Sequence, residues 1–150
     1  MKLDCIDKAI LNRIQSDFPI EIRPFRSVAR DLDLDEEQVL ERVAALRKSG
    51  IIRRIGGNLV PHKVGFVSTL CAAKVPEDRI EAFAAVVNRY PGVTHNYQRE
   101  NEFNIWFTFI APSREIISAN LQQISQETGV QPILNLPATR VFKIRAEFRV

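Results

Sequence analysis

The chain is poor in the residues that usually announce a stapled or reactive fold. It holds two cysteines, two histidines, two tyrosines, one tryptophan and one methionine in 150 residues. Cys5 and Cys71 sit in apolar patterns without metal-ligand spacing. That excludes a disulfide scaffold and a thiolate metal centre, and fits free thiols in a reducing compartment. No apolar run approaches the ~20 residues that cross a bilayer, and no apolar N-terminal leader region is present. The chain is therefore expected to be cytoplasmic, with no membrane contact. Its formal charge of +3 is too small to argue by itself for nucleic acid. With 45% hydrophobic and 26% charged residues, the composition is that of one globular domain or two small ones.

The first sixty residues have helical rhythm. Asp4 is a plausible cap for a helix carrying Ile6, Ile10, Leu11 and Ile14. Pro19 and Pro24 mark a loop, and Phe25, Val28, Ala29 and Leu32 fit a short second helix. Asp35 can cap a third, with Val39, Leu40, Val43 and Leu46 inward and Gly50 at its end. Ile51–Ile55 then alternates as a wing strand, turned by Gly56 and Gly57. The pattern is a winged helix-turn-helix over 1–60. Its reading helix is wrong for DNA. Between Val28 and Glu41 stand six acids, Asp31, Asp33, Asp35, Glu36, Glu37 and Glu41, against Arg30 alone. Such a surface repels the phosphates that supply most non-specific affinity.

After a link over 61–65 the period changes to that of strands. Phe66–Val75 reads as a strand, Ile80, Phe83, Ala84 and Val87 mark a helix, and Val93–Arg99 a second strand. A third strand runs to about Ala111, Ser113 caps a helix ended by Gly129, Val130–Leu134 extends again before Pro137 interrupts, and the final strand is expected in the alternating stretch Thr139–Val150. The fold class is α+β. The order β-α-β-β-α-β over 66–150 is a ferredoxin-like unit, with helices on one sheet face and a dimerising surface expected on the other.

The odd residues of the chain gather in Gly92–Phe107, GVTHNYQRENEFNIWF. His95, Tyr97 and Arg99 are two apart, so in a strand they share a face. Whether Asn104, Trp106 and Thr108 join them depends on the hairpin. A four-residue loop, Glu100–Phe103, pairs Arg99 with Asn104 and Tyr97 with Trp106; a loop one residue shorter swaps the faces. Both registers remain open at this point.

The combination resembles the leucine-responsive regulator (Lrp/AsnC-like) family, with Gly50-Ile51-Ile52-Arg53-Arg54 and Val64-Gly65 in matching places. Within it, Gly92-Val93-Thr94-His95-Asn96-Tyr97-Gln98-Arg99 followed by Phe103-Asn104-Ile105-Trp106-Phe107-Thr108 resembles the sirohaem decarboxylase branch. Ile52-Arg53-Arg54-Ile55-Gly56 and Ser68–Val75 agree with that branch, so the resemblance spans nearly the whole chain.

The resemblance implies a carboxy-lyase of an alternative haem route. It removes two acetate carboxyl groups from sirohaem to give didecarboxysirohaem. It needs no organic cofactor, since the iron arrives with the substrate, and it works as a heterodimer with a paralogous subunit or as a homodimer. A related set serves the denitrification-haem branch. For such a substrate His95 can act as general acid, as ligand of the substrate iron or as a carboxylate donor, and Tyr97 can relay a proton. Arg99 suits a bidentate carboxylate clamp. Asn104, Trp106, Phe107, Arg53 and Arg54 complete the expected substrate contacts. His62 reads as a solvated linker residue, and Lys143, Arg145 and Arg149 as a basic sheet face. Two other functions compete: an Lrp/AsnC-type transcription regulator sensing a small ligand or haem, and a non-catalytic pair-mate of the decarboxylase.

Overall fold

The computed structural model describes residues 2–57, 59–143 and 148–150. They form two compact units, one of residues 2–57 with 143 and 148–150 and one of residues 59–142.

In the first unit α1 (Cys5–Ile14), α2 (Pro24–Asp31) and α3 (Glu36–Lys48) close around Ile10, Val28, Val39, Val43 and Leu46. Asp4 starts α1 through a reciprocal box with Asp7. The Asp7 N–H donates to the Asp4 carboxylate at 2.8 Å and the Asp4 N–H to that of Asp7 at 3.2 Å. Arg42 of α3 binds both carboxylates, at 3.1 Å for Asp7, which ties the first helix to the third. Pro24 opens α2 at the turn where a missing N–H costs nothing. Gly50, at φ 78°, follows α3 where the sequence places a cap. Of the acids near the reading helix, Asp31 pairs with Arg13 at 2.8 Å and Glu36 with Arg23. Asp33, Asp35, Glu37 and Glu41 are exposed.

Two sequence expectations fail in this unit. Ile51–Ile55 is not a strand. The N–H groups of Ile51 and Ile52 both donate to the Leu46 carbonyl at 3.1 Å, continuing the α3 cap, and no strand occurs among the described residues of the unit. Alternation makes no ladder without a partner edge. Phe148 and Val150, expected in the last sheet strand, lie instead on α1. The Gln15 amide accepts from the Phe148 N–H at 2.8 Å and donates to its carbonyl at 3.0 Å. Asn12 treats Val150 in the same way, at 3.3 and 3.2 Å.

The second unit is a four-stranded antiparallel sheet in the order β2-β3-β1-β4. Its strands are β1 (Val67–Ala73), β2 (Val93–Gln98), β3 (Ile105–Ala111) and β4 (Ile133–Leu136). Its helices are α4 (Ile80–Asn88) and α5 (Arg114–Thr128). A 3-10 turn, Pro61–Val64, precedes β1 and leaves His62 exposed. The helices contribute Phe83, Val87, Ile117, Leu121 and Ile124 to a core shared with Cys71, Ile105, Phe107 and Phe109. Ser113 caps α5 by accepting the Ile116 N–H at 3.3 Å, and Gly129, at φ 65°, ends it.

The ferredoxin-like order is present, but its last strand is Ile133–Leu136 rather than Thr139–Val150. The short run after Gly129 takes the edge of β1, with Leu70 paired to Leu136 and Ala73 to Ile133. Of the later stretch, residues 139–143 and 148–150 are not in a strand, while Ile144, Arg145, Ala146 and Glu147 lie outside the described residues. No helix among the described residues is long and apolar enough to cross a membrane.

Candidate active site

The hairpin register is that of the four-residue loop. The Arg99 N–H donates to the Asn104 carbonyl at 2.8 Å, and Tyr97 pairs with Trp106 and His95 with Thr108. The loop holds itself in this form. Asn101 Oδ1 accepts the Phe103 N–H at 3.2 Å, and the Phe103 carbonyl accepts the Trp106 indole N–H at 2.6 Å. The alternation of β3 is strict: Ile105, Phe107, Phe109 and Ala111 are buried against the helices, while Trp106, Thr108 and Ile110 are only half-buried on the other face.

That open face is laid out in rows across the sheet. One row runs His95, Thr108, Leu70, Leu136; the next runs Tyr97, Trp106, Ala72, Leu134. Four strands at the usual spacing make a platform roughly 14 Å across. Polar and aromatic groups stand at its β2 side, and Leu70, Leu134 and Leu136 at its β4 side. His95 is exposed and Tyr97 is 51% exposed, their ring centroids 6.0 Å apart and planes 28° from parallel. Thr94 Oγ1 lies 3.0 Å from His95 Nδ1. At the end of the strand Arg99 borders a concavity of about 430 Å³ with Glu77, Ile80, Gln98 and Asn104. Although Glu100 and Glu102 follow closely in the loop, neither forms an ion pair with Arg99 among the described residues. Glu102 binds Lys74 at 3.0 Å, and among the described residues no carboxylate pairs with Arg99.

Two sequence-expected contacts, Phe107 and Asn104, are engaged within the second unit itself. Phe107 is 1% exposed and meets Phe83 edge to face at 6.4 Å, so it is core: one residue on from Trp106, it points to the other side of the sheet. Asn104 has its amide engaged with the backbone of Val75, accepting at 2.9 Å and donating at 2.8 Å. It holds the end of the hairpin to the residue after Lys74. The Trp106 indole N–H is likewise taken, by the Phe103 carbonyl. Arg53 and Arg54 are exposed residues of the first unit, in irregular backbone.

Thr94 and the leucines of the platform were not among the expected site residues. Thr94 has no sequence signal, because the extra residue that brings it beside His95 is a feature of pairing. The leucines have one: Leu70 and Ala72 share the parity of Ser68, which the burial of Cys71 places on the open face. Cys71 itself is no nucleophile, since burial pushes its thiol up to about 12.

Two family models match this chain: a siroheme decarboxylase NirDL-like HTH domain over residues 7–53 and an AsnC-like ligand binding domain over residues 63–143. The siroheme decarboxylase alpha subunit of Desulfovibrio desulfuricans is 56% identical over 148 residues, covering 99% of this chain and 85% of that protein. Siroheme decarboxylase NirDL, crystallised in co-complex with an iron-uroporphyrin III analogue, is similar with a TM-score of 0.67 and 30% identity over 94% of this chain. This chain spans 47% of that one, just under half its length. AsnC of E. coli has a TM-score of 0.81 at 16% identity, covering 98% of this chain and 99% of its own, a likeness of fold alone.

Proposed function

We infer the function from one premise: the chain belongs to the sirohaem decarboxylase family, within the AsnC-like proteins. It is a carboxy-lyase that converts two acetate side chains of sirohaem to methyl groups, giving didecarboxysirohaem. The observation that carries this reading is the exposed stack of His95 on Tyr97, beside the Trp106 ring and above a leucine-lined sheet face. A flat tetrapyrrole needs an apolar wall, a proton source and cations for its acids. The platform supplies the wall, His95 and Tyr97 the exchangeable protons, and Arg99 a guanidinium with no carboxylate partner among the described residues.

The chemistry asked of these groups is small in atoms. The bond between the acetate methylene and its carboxylate breaks, carbon dioxide leaves, and the electron pair stays on the methylene carbon. One proton completes the methyl group. A side chain within hydrogen-bond reach of that carbon supplies the proton and regains one from water. His95 can serve as this donor or as a ligand of the substrate iron. One ring nitrogen cannot do both, because a nitrogen that binds iron carries no proton to give.

A single chain is an incomplete container. Its platform is open on one side, and Arg99 is one cation, without a carboxylate partner among the described residues, against a substrate ringed with carboxylates. A second, paralogous subunit laid over the sheet closes the site and adds charge, in keeping with the alpha-subunit name of the Desulfovibrio relative. The iron is part of the substrate, and no organic cofactor enters the step. The regulator reading is disfavoured by the exposed acids Asp33, Asp35, Glu37 and Glu41 around the helix that would enter DNA.

The test is to mix the purified chain with sirohaem without oxygen, alone and with a paralogous subunit, and weigh the products. Stepwise loss of two carboxyl groups is the expected result. Tight tetrapyrrole binding with no mass loss in either mixture overturns the enzyme reading in favour of a sensor. Loss only with the partner, undiminished when His95 is replaced here, assigns this chain the role of pair-mate.

A further inference from the structure

Thr94 is the residue that the strand register leaves over. Val93 lies opposite Phe109 and His95 opposite Thr108, so β2 carries one residue more than β3 at this point. Consecutive side chains of a regular strand point to opposite faces and cannot meet. The bulge breaks that rule and bends the strand, and Thr94 Oγ1 comes within 3.0 Å of His95 Nδ1. The strand is held on both sides of the bulge: the Gly92 carbonyl accepts the Ile110 N–H at 2.8 Å, and Tyr97 stacks on His95 from the other direction. Among the described residues neither the Thr94 hydroxyl nor the imidazole has another hydrogen-bond partner.

We propose that Thr94 is a positioning residue that donates its hydroxyl proton to His95 Nδ1 and so holds the neutral ring with its own proton on Nε2. A hydroxyl rotates to donate or accept as its neighbour requires, whereas each imidazole nitrogen does one or the other. A free neutral imidazole already favours the Nε2–H form, and a donor at Nδ1 reinforces that preference. What the second nitrogen offers follows from what the first is bonded to. The ring therefore presents a proton, not a lone pair, at the nitrogen turned away from Thr94. Resting on the decarboxylase reading, this makes His95 the proton donor to the methylene carbon rather than the ligand of the substrate iron.

The experiment has an arm that needs no substrate. Long-range proton–nitrogen NMR on the full chain labelled at histidine reports which ring nitrogen is bare. The chain has only His62 besides His95, and a His62→Gln variant assigns the signals. Wild type and Thr94→Ser are expected to show bare Nδ1, and Thr94→Val, isosteric without the donor, a mixture of forms. In turnover with the partner subunit, Thr94→Val lowers kcat roughly three- to tenfold, the scale of one neutral hydrogen bond, at unchanged KM, and Thr94→Ser restores it. A bare Nε2 in the wild type, or a tautomer indifferent to Thr94→Val, overturns the proposal. A bare Nδ1 in a protein that leaves sirohaem intact overturns the functional reading and spares this one.

Discussion

The imidazole of His95 lies stacked on the ring of Tyr97, centroids 6.0 Å apart, on the sheet face opposite the core packed by α4 and α5. Two positions on one strand bring them together, and neither side chain is part of the buried core. Chemistry and stability are therefore separable at this pair, and substitution can address one without the other.

His95→Ala is expected to lower kcat by about 10²- to 10⁴-fold, the usual worth of a positioned general acid. Stability should stay within ~0.5 kcal/mol of wild type, since an exposed side chain is removed. Tyr97→Phe keeps the ring stack and removes only the hydroxyl, so its loss should be smaller. Product mass against time, with thermal unfolding beside it, checks both; full turnover by His95→Ala removes that residue from the mechanism.

Among the described residues no carboxylate pairs with Arg99, and in the proposed site its guanidinium meets a substrate carboxylate. Losing a charged hydrogen bond costs about 1.5–3 kcal/mol, or about ten- to more than a hundredfold in substrate affinity for Arg99→Ala. Arg99→Lys should recover little of this, because an ammonium does not reproduce the planar fork. Titration of sirohaem under anaerobic conditions reads the difference. Equal affinity in all three proteins would show that Arg99 faces solvent in the complex.

Asn104 makes the opposite prediction. Its amide satisfies both backbone groups of Val75, so Asn104→Ala leaves a part-buried N–H and carbonyl without partners. A cost of about 1–3 kcal/mol in stability is expected, with sirohaem affinity of the folded fraction little changed. Denaturant unfolding followed by a binding titration below the transition separates the two. An unaltered midpoint with weakened binding would return Asn104 to the list of substrate contacts.

What could be read in advance divides along the range of the interactions. Asp4, Ser113, Gly50 and Gly129 bound helices through contacts within a few residues, and each bounds one here. Arg99 lies just past the end of β2, beside a concavity with Glu77, Ile80 and Gln98, while the shared face of His95 and Tyr97 follows from strand parity alone. Pairing does not. The loop between Arg99 and Asn104 decided whether Trp106 or Phe107 joined them, and one residue separates those outcomes. The stretch from Thr139 alternates well but Ile133–Leu136 takes the β1 edge, and Ile51–Ile55 alternates with no edge to join. Phe148 and Val150 are held by Asn12 and Gln15, polar residues more than a hundred positions away. Apolar periodicity carries no trace of such a contact.

Acid should loosen the first unit through Asp4. Its carboxyl is held below the usual value of 3.8, first by the Asp7 backbone N–H and then by Arg42. The folded form thus binds its proton less readily than the unfolded chain. The sign follows: the contribution is complete above the unfolded value and disappears as pH falls through the lower folded one. Asp4→Asn keeps a capping group and abolishes this titration. Unfolding midpoints of the variant are expected to fall less steeply than wild type below about pH 4. Parallel curves for the two proteins would remove Asp4 from the acid response.

Gly92 tests whether the bulge matters, because it is a glycine for reasons of space. A Cβ there would meet the Ile110 carbonyl oxygen and come within 2.8 Å of the Phe109 ring. Neither neighbour can retreat cheaply. The Ile110 N–H donates to the Gly92 carbonyl at 2.8 Å, and Phe109 is core, packed edge to face on Tyr90 at 5.8 Å. Gly92→Ala should therefore cost about 1–3 kcal/mol by overpacking. The strain has one soft outlet, since β2 is the edge of the sheet among the described residues: its start can move away from β3. That displaces Thr94 before anything else and takes the hydroxyl from His95. Gly92→Ala is thus expected to reproduce the tautomer mixture of Thr94→Val while lowering the unfolding midpoint, which Thr94→Val does not. A destabilised Gly92→Ala protein whose His95 keeps a bare Nδ1 would show that the bulge is maintained from the Tyr97 side alone.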